Sequence, residues 1–113
     1  MNPDGLILFQ KTYDLILEVH PVIVNKFPKN QRFVLGQKIE NTLIAILEIA
    51  ITINLSKPTV NYFRRLDIEI QKLKIFIRLA KDLKFINIKK YEYLEKKVIE
   101  IGKITGGWKK TLI

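Results

Sequence analysis

The stretch KPTVNYFRRLDIEIQKLKIFIRLAKDLK, residues 57–84, carries the pattern that decides the architecture. Its side chains Phe63, Leu66, Ile70, Leu73, Ile77 and Ala80 recur at steps of three and four, so on an α-helix they form one apolar stripe. Working outward, three breaks divide the chain: Phe27-Pro28-Lys29-Asn30, Asn54-Leu55-Ser56-Lys57-Pro58 and Phe85-Ile86-Asn87. Ser56 ahead of Lys57-Pro58 reads as an N-cap with proline in the first turn, and Asn87 reads as a second cap. The spacing predicts helices over about 6–26, 30–54, 57–84 and 88–111, and no stretch sustains the alternation of a strand.

Each of the other three segments has its own stripe. In the first, Phe9, Tyr13, Ile16, His20, Ile23 and Phe27 alternate steps of four and three, with Pro21 expected to interrupt and kink the helix. The second has Ile39, Leu43, Ile46, Leu47, Ala50 and Ile53, and Gly36 shares that face with Ala50, allowing a neighbour close approach. The last has Tyr91, Leu94, Val98, Ile101, Thr105, Trp108 and Leu112. Four stripes joined by short connections predict an all-α fold, an antiparallel up-down-up-down four-helix bundle, as a single domain over 1–113.

Composition narrows the function. With 48% hydrophobic residues the chain has material for a core and is no disordered basic tail. It has no cysteine, which excludes disulfides, thiolate metal sites and cysteine nucleophiles. The most apolar run, Thr42 to Leu55, is interrupted by Glu48 and falls short of the ~18 residues of a membrane span. The start lacks the basic region of a secretory signal. The expectation is a cytoplasmic protein without membrane contact.

All of the net charge of +9 lies in the second half. Residues 1–56 carry five basic and five acidic groups, whereas residues 57–113 carry fifteen basic and six acidic ones. Lys89, Lys96, Lys103 and Lys110 recur every seven residues, a spacing that drifts by only ~20° per step on a helix. The four ammonium groups therefore line up over ~31 Å. Few acids interleave with this row, and Arg64, Arg65, Lys72 and Arg78 spread over the outer side of the preceding helix. Such a surface suits the phosphate backbone of RNA or DNA, bound by sequence-independent contacts. Tyr93 is the candidate stacking platform beside it. On the same outer side, Ile68, Ile75 and Leu79 form an apolar row that a monomeric bundle does not need, which points to a homo-oligomer interface.

Catalytic patterns are nearly absent. The one histidine, His20, falls on the core stripe, where a buried, hydrogen-bonded imidazole is expected. It would revive an enzyme reading only if exposed beside a cleft carboxylate. The carboxylate pairs Asp14 with Glu18 and Glu92 with Glu95 lie among lysines and read as solvated surface. No Gly-rich phosphate loop is present, since Gly106-Gly107 follows no strand. The reading is no enzyme, no metal, no cofactor and no small-molecule substrate.

Phe27-Pro28-Lys29 with Arg32-Phe33-Val34-Leu35-Gly36, then Arg78-Leu79-Ala80-Lys81-Asp82-Leu83-Lys84, then Glu100-Ile101-Gly102-Lys103 and Gly106-Gly107-Trp108 carry a resemblance. The chain resembles the Avd-like accessory variability determinant proteins of diversity-generating retroelements. These lie within the four-helix bundle superfamily that includes the ribosomal-RNA intervening-sequence proteins. That second branch ends its second helix with an Asn-Ile-Ala-Glu-Gly-like stretch. Here Glu48-Ile49-Ala50-Ile51-Thr52-Ile53-Asn54 departs from it and favours the retroelement branch. The resemblance implies a basic homopentameric barrel that associates with a reverse transcriptase and its template RNA and supports mutagenic retrohoming. The alternative is a protein-interaction module of the intervening-sequence type, whose basic face docks an acidic protein.

Overall fold

The computed structural model describes residues 3–57 and 59–112. The described residues form four long helices and one single helical turn: α1 (Pro3–Lys26), α2 (Lys29–Arg32), α3 (Leu35–Leu55), α4 (Val60–Asp82) and α5 (Ile88–Leu112). No strand occurs among the described residues. Each long helix packs on two others, α1 and α4 both flanking α3, and α4 and α1 both flanking α5. The result is an antiparallel four-helix bundle of 41 × 23 × 20 Å. No helix among the described residues is long and apolar enough to cross a membrane.

The third predicted stripe is the inner face of α4. Phe63, Leu66, Ile70, Leu73, Ile77 and Ala80 are all buried. From α5, Leu94, Val98, Ile101, Thr105 and Trp108 meet them, with Trp108 set edge-on to Phe63 at 5.3 Å between ring centroids. Tyr91 is only half-buried, and the Leu112 side chain lies outside the described residues.

In α1 the expected stripe holds at Ile23 and Phe27 but is out by one residue from Phe9 to His20. Leu8, Thr12, Leu15, Val19, Ile23 and Phe27 are buried, while Tyr13 and His20 are exposed and Phe9 and Ile16 lie at the margin. The helix is apolar around most of its circumference, so polarity at the edge decides the rotation. Turning it by one residue, ~100° of helix, puts the Tyr13 and His20 polar groups in water. The hydroxyl that comes inside instead, Thr12 Oγ1, donates to Leu8 O at 2.8 Å and is satisfied within its own helix. The helix continues through Pro21 to Lys26.

The predicted second helix, 30–54, is two elements. The turn α2 stops at Arg32, Phe33 and Val34 turn the chain (Val34 φ −112°, ψ −91°), and α3 starts at Leu35. This corner brings Gly36 onto Ile23. A Cβ built on Gly36 would sit 2.6 Å from Ile23 Cγ2, a separation no side chain accepts.

The capping expectations divide. Asn87 Oδ1 accepts from the Lys90 N–H at 2.8 Å, as an N-cap does. Ser56, however, is the C-cap of α3 in extended backbone. Thr59 caps α4 instead, its hydroxyl accepting from the Tyr62 N–H at 3.4 Å, and this third long helix starts at Val60 rather than at 57. Pro58 lies outside the described residues. At its other end α4 stops at Asp82, not Lys84. The Lys84 N–H donates to Lys81 O (2.9 Å) and the Phe85 N–H to Ala80 O (2.8 Å), the Schellman pair of bonds. Lys84 itself takes the left-handed conformation, φ 64°.

Candidate nucleic-acid interface

The surface of interest follows from the way α5 is seated. Its core stripe faces inward, so residues about half a turn away point outward, and Lys89, Lys96, Lys103 and Lys110 are all exposed there. None of the four makes an ion pair among the described residues. The row is less free of acid than its heptad spacing suggests. Glu100 and Glu92 fall at helical neighbour spacing between its lysines. Glu100 turns aside to α1, where it bonds Lys11 Nζ at 3.0 Å. That hydrogen bond, and then the charge of the same carboxylate, raises the Lys11 pKa above the ordinary lysine value. Glu92 keeps its place between Lys89 and Lys96.

On neighbouring α4, Arg64 and Arg65 are exposed. Lys72 is tied to Glu69 at 3.0 Å, and Arg78 lies 3.9 Å from Asp82. Of the four basic side chains singled out on α4, the two arginines at its N-terminal end are therefore the least engaged. Ile68, Ile75 and Leu79 stand exposed farther along the same helix, with Ile75 retaining 62% of its surface in water.

Tyr93 is in the right place but occupied. Lys90 Nζ and Lys97 Nζ lie 5.5 and 5.4 Å from its ring centroid. Its hydroxyl donates to Glu18 Oε1 at 3.1 Å, which raises its pKa above the usual phenol value. A base stacking on this ring has to displace an ammonium group first.

His20 overturns the expectation of a core imidazole. It is 62% exposed at its side chain, with Nδ1 2.6 Å from Glu40 Oε1. Its partner, itself 31% exposed, belongs to α3, so the pair bridges two helices at the open surface rather than in a cleft. No group of three or more metal-ligating side chains assembles among the described residues.

One feature escaped the sequence reading. Where α1 ends and α4 turns into α5, a cavity of about 650 Å³ opens, walled by Lys26, Lys81, Lys84 and Lys90. These lysines come from three helices and a turn, at no common spacing. The only signal in the sequence was the run Lys81-Asp82-Leu83-Lys84 just before a helix cap.

A family model described as bAvd-like matches residues 6–112. No curated protein and no solved structure matches the chain.

Proposed function

The chain belongs to the bAvd-like family, and on that premise we propose that it is a non-catalytic, nucleic-acid-binding oligomer that associates with a retroelement reverse transcriptase and its template RNA and supports mutagenic retrohoming. Family membership makes it an accessory protein of a retroelement system. The observation that supports the finer reading is the α5 row: four exposed lysines that make no ion pair among the described residues, on the outer face of a bundle 41 Å long. Arg64 and Arg65 add exposed positive charge on α4, Arg65 on the flank that meets α3. The exposed Ile68, Ile75 and Leu79 supply a contact for further copies, a homopentamer on the family pattern.

The test is fluorescence anisotropy with single-stranded RNA across a salt series. Four phosphate contacts on a single strand give a log–log slope of about −3 from the row alone. Replacing Lys89, Lys96 and Lys103 by Gln makes the slope shallower by about 2 units while the helical circular dichroism is unchanged. An unaltered slope in that variant removes the row from the mechanism. Absence of RNA binding at low salt favours an acidic protein as the partner of the basic face.

A further inference from the structure

The cavity at the α4–α5 turn has a composition that the lysine row lacks. Four lysines and a single carboxylate, Asp82, line it. Asp82 is already engaged, 3.4 Å from Lys81 Nζ and 3.9 Å from the Arg78 guanidinium. The floor is apolar, made by Val22, Phe85 and Ile86, with the Phe85 ring braced against Phe27 at 5.4 Å. At about 650 Å³ the space lies within the range of ordinary small-ligand sites. Inorganic phosphate would leave the apolar floor in contact with water. The complementary ligand has a doubly charged head for the lysines and a flat apolar body for the floor.

From these features we infer that the cavity is a site for a nucleoside 5′-phosphate, either at the end of a nucleic-acid strand or as a free nucleotide. Lysine ammonium groups bind phosphate as point charges. Of the four lining lysines, Lys81 is held by Asp82 and the Tyr91 ring, and Lys90 by the Tyr93 ring. That leaves Lys26 and Lys84 as the two charges that match a terminal phosphate, with about two charges of its own, better than an internal diester. Lys84 adds a second indication. It holds the left-handed position of the Schellman turn, where glycine is the unstrained residue. A cation is thus kept at the rim of the cavity at a position that disfavours any side chain. The site also lies at the end of α5 where the row begins, because Lys90 lines the cavity and Lys89, the first lysine of the row, precedes it on the adjoining flank of the helix. A strand lying along α5 delivers its end there. In that form the inference rests on the nucleic-acid reading, whereas in its free-nucleotide form it stands without it.

The experiment compares two RNA twelve-mers of one sequence, 5′-phosphorylated and 5′-hydroxyl, by anisotropy, and titrates adenosine 5′-phosphate and inorganic phosphate by calorimetry. The same measurements are made on the double variant Lys26→Gln/Lys84→Gly, whose second change relieves backbone strain and keeps the bundle folded. The phosphorylated strand is expected to bind about tenfold more tightly, as for hydrogen bonds to a charged group. The double variant is expected to lose that preference while binding the hydroxyl strand as before. Adenosine 5′-phosphate is expected to bind the parent and not the variant. Nucleotide binding without discrimination between strand ends supports the site with a free nucleotide as its ligand. Equal affinity for both strands together with no nucleotide binding overturns the inference, as does inorganic phosphate binding as tightly as the nucleotide. If neither strand binds but the nucleotide does, the α5 row fails as a nucleic-acid surface and the cavity survives.

Discussion

Replacing Gly36 by Ala is expected to destabilise the bundle, although the same change at most exposed helical positions stabilises it. Alanine is favoured over glycine in a helix by about 1 kcal/mol. At Gly36 the new methyl would lie 2.6 Å from Ile23 Cγ2 and 3.3 Å from Gln31 O. Ile23 Cγ2 hangs directly on a branched Cβ in a buried position of α1, so it cannot swing away as the tip of a long side chain does. Relief requires α1 and α3 to separate by most of an ångström at this level, an overpacking cost of about 1–3 kcal/mol. The net expectation is a loss of up to about 2 kcal/mol, read as a lower urea midpoint at unchanged slope. A second substitution isolates the cause. Ile23→Leu removes the β-branch that meets the new methyl, and a volume-conserving exchange costs below about 1.5 kcal/mol by itself. In that background Gly36→Ala is expected to be neutral or stabilising. A Gly36→Ala protein as stable as the parent, or a double-mutant cycle with no coupling, refutes the close-approach argument.

Two further outcomes are expected. At Gly106 and Gly107 a Cβ would meet nothing within 4 Å. Alanine at either is expected to raise stability by about 0.8–1 kcal/mol in urea unfolding, because only helix propensity changes. For Lys11, the folded-state pKa is raised, chiefly by the hydrogen bond to Glu100. Its stabilising contribution is therefore present below the unfolded lysine value and is lost as pH rises through the folded one. The difference in melting temperature between the parent and Lys11→Gln is expected to close in that alkaline range, and also with added salt.

The sequence was legible where its two faces differ in chemistry. Along α4, Arg64, Asp67, Gln71 and Lys74 alternate with the stripe, so one rotation of the helix alone buries apolar atoms, and every predicted core residue there is buried. Along α1, Leu6, Ile7, Leu17 and Val24 are exposed although apolar. With greasy residues on all sides, period alone does not choose between neighbouring registers, and the decision falls to His20, Tyr13 and Thr12. The corner at Phe33-Val34 has neither proline nor a turn glycine, and Phe33 remains 82% exposed. Only tertiary contact explains it, through the packing of Gly36 on Ile23. The candidate lysine row could be read because it lies on one helix. The cavity could not, because its cations meet only when three helices and a turn converge.

The three buried threonines have a consequence for how the bundle is keyed. Thr12, Thr42 and Thr105 each give their hydroxyl to a carbonyl four residues earlier in their own helix. Among the described residues no threonine hydroxyl ties one helix to the next, and the directional links along the middle of the bundle, Lys11 with Glu100, Tyr93 with Glu18 and His20 with Glu40, all lie at its surface. Inside the core, specific engagement sits at the ends. Gly36 meets Ile23 at one end, and at the other Gly5 lies against Asn54 and Trp108, with Asn54 Nδ2 donating to Gly5 O at 3.3 Å. The shaft of the bundle therefore tolerates exchange among aliphatic residues of similar volume. Within the core, axial alignment is held by two end locks, each depending on a glycine.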